Sequence, residues 1–127
     1  MAKQGAYVIL SGRNQAALEE VAAQCGPNRC LILPFETTDY AALPKLVDTA
    51  LAWRGGVDCL VNNAGITRDG LFMRMKDEDW EQVINVNLTS AFRLSRACMK
   101  GMMKRRFGRV ISITSVVGVT GNPGQGN

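Results

Sequence analysis

A chain of 127 residues, 46% apolar and 20% charged, has room for one domain at most and reads as globular and soluble. It holds no histidine, which excludes serine–histidine triads, most zinc sites and any imidazole base. Its net charge of +4 is unevenly divided: eight basic residues against eleven acids up to Glu81, then seven basic residues and no acid, so a balance of −3 gives way to +7. A basic second part suits a phosphate-bearing or acidic partner.

No apolar run is long enough to cross a bilayer, and "MAKQGAYVIL" lacks the apolar core of a signal peptide. The cysteines (Cys25, Cys30, Cys59, Cys98) have no C-x-x-C spacing and are expected to be reduced and mostly buried, as in a cytoplasmic protein.

Along the chain, "AYVIL" (residues 6–10) is too short for a helix and predicts a buried strand. Asn14 can cap a helix whose stripe is Leu18, Val21, Ala22 and Cys25, ended by Gly26-Pro27. "CLILPF" predicts a second strand. A second helix comes next, capped by Thr38 or Asp39 and closed by Gly55-Gly56; Pro44 argues for a later start. "VDCLV" predicts a third strand and "NNAGITRDG" a polar loop. Residues 76–106 predict a long helix with Trp80, Val83, Ile84, Leu88, Ala91, Phe92, Met99, Met102 and Met103 on one face and a break near Asn87-Leu88-Thr89. "RVISIT" predicts the last strand. Strands alternating with helices argue for a parallel α/β sheet, doubly wound with helices on both faces.

In such sheets ligands bind beyond the carboxyl ends of the strands. Three ends are chemically marked here. After the first strand, Arg13 can stack on an adenine and fork onto a phosphate, or be a solvated surface arginine. After the third, Ala64 and Gly65 let a flat ring or ribose approach the backbone, and the asparagines of "NNAG" can tie neighbouring strand ends together; a plain turn is the other reading. After the last, the Ser115 hydroxyl can orient a substrate oxygen. Asn87 stands on the apolar stripe, where a buried amide must find partners: a backbone carbonyl at the helix break, or a water beside a reacting group. "TGNPGQG" resembles a phosphate loop but leads into no helix, so it is expected to be a mobile loop.

Together "SGRN", "VDCLVNNAGITRDGLFMRMKDEDW", "INVNLTSAF" and "GRVISITSVVG" resemble the short-chain dehydrogenase/reductases, and residues 65–127 resemble their 3-oxoacyl-[acyl-carrier-protein] reductases. The resemblance implies a Rossmann-like sheet ordered 3-2-1-4-5-6-7 and NADP(H) as cofactor. Arg13 would lie beside the 2′-phosphate and Ser11, Glu36 (where an Asp is usual) and Thr37 near the adenosine. Asn63, Ala64, Gly65 and Ile113 would line the nucleoside. Ser115 would hold the substrate carbonyl and Asn87 a proton-relay water. The implied reaction is reduction of a 3-oxoacyl thioester to the 3-hydroxyacyl thioester, on an acidic acyl carrier protein docked by Lys100, Lys104, Arg105 and Arg106, in a homo-oligomer that is a tetramer in intact relatives. Neither membrane nor nucleic acid is expected as partner; only Phe92 and Phe107 could interleave the basic residues.

The resemblance also implies a partial NADP-binding domain over residues 1–127. A central first strand with its T-G-x-x-x-G-x-G loop would precede it, and a Y-x-x-x-K motif would come after it. An incomplete sheet of two half-sheets is therefore expected, prone to associate through unpaired edges or to close by an unusual pairing. A catalytically inactive fragment that binds or associates, and reduction of acetoacetyl-CoA, are the alternative functions.

Overall fold

The computed structural model describes residues 1–127, which form two compact units, Met1–Ala50 and Leu51–Asn127. Each is an α/β arrangement around two parallel strands.

In the first unit β1 (Val8–Gly12) pairs with β2 (Cys30–Pro34) from Val8↔Cys30 to Gly12↔Pro34. The strand lies two residues later than the apolar run 6–10. Pairing, not hydropathy, sets its limits: the Val8 N–H donates to the Arg29 carbonyl at 2.9 Å, and the Phe35 N–H donates to the Gly12 carbonyl at 3.0 Å. Ser11 and Gly12 thus join the ladder although neither is apolar. Between the strands runs α1 (Gln15–Cys25), capped by the Asn14 side chain, which accepts from the Ala17 N–H at 3.1 Å. Gly26 ends it at φ 90°, a conformation costly for other residues. The next helix, α2 (Leu43–Ala52), starts late enough to put Pro44 in its first turn, where no intrahelical donor is missed. Asp39 acts upstream of it, accepting from the Ala42 N–H at 3.1 Å. Phe35 and Val47 are the buried apolar residues of this unit.

In the second unit β3 (Cys59–Asn62) pairs with β4 (Arg109–Ser112), from Cys59↔Arg109 to Asn62↔Ser112. The helical run between them is broken where expected. Helix α3 (Asp77–Ile84) opens on three acids, which complement its positive end. A π-helical turn, Asn85–Thr89, leads from it into α4 (Ser90–Arg105). Helix α4 ends at Arg106, in the left-handed region at φ 53°. Val83, Ser90, Cys98 and Met102 are buried. The rest of the expected apolar face is not: Trp80, Leu88, Phe92, Met99 and Met103 stay 42% to 71% exposed. Two strands are too narrow to cover all of it.

The strands pair only as β1–β2 and β3–β4, the two half-sheets expected. The cysteines depart from expectation: all four are free thiols, but only Cys98 is buried, because Cys25 and Cys30 flank a surface turn and Cys59 opens the short β3. No helix is long and apolar enough to cross a membrane.

The Arg105 guanidinium fastens the end of α4 to the entry of β3, donating to the Val57 carbonyl at 2.6 Å and pairing with Asp58 at 3.3 Å. Arg105→Ala is expected to lower the stability of this unit by about 1 kcal/mol, since one charge-assisted bond is lost and the ion pair is largely solvated. Urea denaturation beside Lys104→Ala, expected to be neutral, checks this.

Candidate functional site

Each unit presents the carboxyl ends of two parallel strands, and the predicted site residues gather there. In the first unit the ends of β1 and β2 bring Ser11, Arg13, Glu36 and Thr37 together. The Ser11 hydroxyl donates to the Leu33 carbonyl at 2.9 Å, so it stitches the strands at the rim. Arg13 Nε lies 3.6 Å from a Glu36 oxygen, and the other carboxylate oxygen accepts from Thr37 and Thr38 hydroxyls at 3.5 and 3.3 Å. With 73% of its side chain exposed, Arg13 holds Glu36 only weakly. Its outer N–H groups face solvent and match a phosphate, which carries more charge than the carboxylate it would displace.

In the second unit Asn62 does what the sequence suggested for the paired asparagines. Its Nδ2 donates to Ser112 Oγ at 3.3 Å and Ser95 Oγ at 3.2 Å, tying β3, β4 and α4 at one point. Its Oδ1 is buried without a partner. Ser95 and Ser112 carry no signal in the sequence; each is a lone hydroxyl whose role shows only when its element is placed. Beyond Asn62 the chain runs through Asn63, Ala64 and Gly65, which are exposed and whose small side chains at Ala64 and Gly65 leave the backbone open. The Ile113 N–H donates to the Asn62 carbonyl at 2.9 Å, carrying the pairing one residue past β4, and its side chain is exposed.

Asn87 is exposed, contrary to the expectation of a buried amide, and so is most of the loop 63–71 that it meets. The amide is nevertheless held. Its Oδ1 accepts from the Ile66 N–H and its Nδ2 donates to the Ile66 carbonyl, both at 2.9 Å. It thereby imitates a strand partner and fixes the loop after β3. One N–H and one lone pair remain for another ligand. The π turn holds Asn87 at this place, and such turns are frequent at functional sites.

The Ser115 hydroxyl accepts from the Val117 N–H at 3.2 Å and starts a short helix, α5 (Val117–Thr120), that no periodicity in the sequence announced. Used as an acceptor, this hydroxyl keeps its own proton to donate. The glycine-rich stretch beyond it is tied down rather than loose. Gly70 N–H donates to the Gly124 carbonyl at 2.8 Å, Gln125 reaches both Asp69 oxygens at 3.1 Å, and Asn127 donates to the Arg68 carbonyl at 3.0 Å.

The short chain dehydrogenase family model matches residues 1–127. The chain is 53% identical over 124 residues to Nodulation protein G of Rhizobium sp. (strain N33), covering 98% of this chain and 50% of that protein. It is 46% identical over 128 residues to 3-oxoacyl-[acyl-carrier-protein] reductase FabG of Haemophilus influenzae (strain ATCC 51907 / DSM 11121 / KW20 / Rd), covering 100% and 52%. Among solved structures, serine dehydrogenase from Escherichia coli matches with a TM-score of 0.87 at 31% identity, over 97% of this chain and 56% of that one. The closed form of serine dehydrogenase complexed with NADP+ matches with a TM-score of 0.88 at 31% identity, over 97% and 50%. The chain spans about half the length of the curated relatives it matches.

Proposed function

The chain belongs to the short-chain dehydrogenase family, and from that premise we propose that it carries part of the site of an NADPH-dependent reductase acting on 3-oxoacyl thioesters. The observation that carries the reading is the Asn87 amide bonded on both sides to Ile66, since it fixes the loop after β3 on the unit that also bears Ser115. The likeness to a 3-oxoacyl-[acyl-carrier-protein] reductase, and the NADP+ held by a structural relative, support the substrate class and the cofactor.

Bound NADPH supplies the hydride. In the first unit the exposed Arg13 fork suits a 2′-phosphate, and Ser11, Glu36 and Thr37 suit an adenosine; in the second unit the segment with Asn63, Ala64, Gly65 and Ile113 suits a nucleoside, where bare backbone admits a flat ring. Ser115 donates its hydroxyl proton in a hydrogen bond to the substrate carbonyl, holding it as charge develops on the oxygen. Asn87 uses its remaining N–H to hold a water of the proton relay. An acidic carrier protein would meet Lys100, Lys104 and Arg106; Arg105 is engaged with Val57 and Asp58 and contributes less. The exposed Leu88, Phe92, Met99 and Met103 form the contact with further subunits.

Titration of the chain with NADPH and NADH, followed by nicotinamide fluorescence, tests the reading. NADPH binds more tightly, and Arg13→Ala weakens NADPH about tenfold while leaving NADH unchanged, a difference of about 1.4 kcal/mol. Equal affinity for the two nucleotides in the unaltered chain would overturn it.

A second expected outcome concerns assembly. Phe92→Glu places a charge in the exposed apolar stripe and should shift the sedimentation of the chain toward the monomer without changing its circular dichroism.

A further inference from the structure

Cys25 closes α1 and Cys30 opens β2, so the turn Gly26-Pro27-Asn28-Arg29 brings two free thiols to one end of the first unit. The turn is not slack. Gly26 and Asn28 both hold positive φ, 90° and 57°, and proline fixes its own φ between them. Arg29 is anchored by a 2.8 Å hydrogen bond to the Gly5 carbonyl and lies 4.9 Å over the Tyr7 ring. The pairing of Val8 N–H with the Arg29 carbonyl fixes the entry to β2. Cys25 donates to the Val21 carbonyl at 3.3 Å, and Cys30 lies near enough for the two thiols to influence each other. Both thiols are half-buried, so small solutes reach them. Neither has a part in the reductase chemistry.

We propose that Cys25 and Cys30 form a reversible intramolecular disulfide when hydrogen peroxide reaches them, a redox modification site on the unit that carries Arg13 and Glu36. In the first step the Cys25 thiolate attacks one oxygen of the peroxide. The O–O bond breaks, hydroxide leaves and takes a proton to become water, and Cys25 becomes a sulfenic acid. In the second, the Cys30 sulfur attacks the Cys25 sulfur, the S–O bond breaks and the oxygen leaves as water with the Cys30 proton. Two thiols lose two electrons and one peroxide is reduced; a small dithiol reverses the bond by exchange. Cys30 is the resolving partner. Its half-buried position, with the neighbouring Cys25 thiol adding, pushes its thiol up to about 11, so it keeps its proton at neutral pH.

Trypsin cuts between Arg29 and Cys30, which puts the two cysteines on separate peptides, residues 14–29 and 30–45. The full chain is treated with hydrogen peroxide, its remaining thiols are blocked with N-ethylmaleimide, and the digest is weighed by mass spectrometry. The two peptides should be recovered linked, should separate with dithiothreitol, and should not link in Cys25→Ser or Cys30→Ser. The link should form about tenfold faster in the folded chain than in urea, because the fixed turn keeps the end of α1 and the start of β2 together. Recovery of both peptides unlinked, each alkylated or oxidised alone, would overturn the proposal. So would equal rates in buffer and in urea.

Discussion

Asn87→Ala should destabilise the second unit by about 2 kcal/mol, because it removes two hydrogen bonds at once and leaves the Ile66 N–H and carbonyl to find other partners. Both bonds are 2.9 Å long and reach one residue across 21 positions of sequence. Their loss is therefore a loss of tertiary anchorage, not of helix. Hydrogen exchange reads this directly: the Ile66 amide should become as exchangeable as a free loop amide, while the amides of α4 keep their protection. Asn87→Asp separates the two bonds. It retains the acceptor and loses the donor, so the Ile66 amide should remain protected at neutral pH while stability falls by about half as much. If Ile66 exchanges at the same rate in the unaltered chain and in Asn87→Ala, the clamp is not what holds the loop.

Gly108→Val should have a larger effect, about 3 kcal/mol, through overpacking. A β-carbon at Gly108 would stand 2.6 Å from both Cβ and Sδ of Met102, and Met102 is one of the few buried side chains of the unit. The Phe107 N–H is bonded to the Met102 carbonyl at 3.1 Å, so the turn from α4 into β4 passes directly over that methionine and has little room to lift. A shift in thermal or urea midpoint measures the loss. Met102→Ala removes the collision with Sδ while keeping the one with Cβ, so the double variant should be less destabilised than the sum of the two single ones, though not fully relieved. Strict additivity would show that the two positions do not collide.

Much of this architecture is legible in residue order, and the failures have identifiable causes. Local signals do well: Asn14 caps α1, Gly26 ends it, and the asparagine in the long helical run marks the break in it. These features depend on neighbours a few residues away, which sequence displays. Strand limits do less well, because Val8–Gly12 is defined by partners in β2, and hydropathy cannot see that Ser11 and Gly12 are paired. Periodicity overestimates burial along α4, and residue type overestimates it for three of the four cysteines, since an apolar residue is only as buried as the surface laid against it. In the site, small residues and amides at strand ends are legible by type. The Ser95–Asn62–Ser112 knot and the Asp69–Gln125 link are not, for they join positions 33 to 56 residues apart. Arg105 reads as one of four docking cations, and only the fold shows it turned inward upon Val57 and Asp58.

The wide turn at Asn85–Thr89 has a consequence for how this stretch tolerates change in length. Each residue of an α-helix advances the azimuth by about 100°. Holding one residue more than an α-turn needs, the wide turn absorbs that residue with little change of azimuth between α3 and α4. Deleting a single residue there would let the two helices run on as one uninterrupted rod, with Ser95 still on the side of Asn62. The same deletion inside α4 has no such slack and would turn every residue on one side of it by about 100° relative to the other. The stretch therefore tolerates a change of length at one place and not at the next.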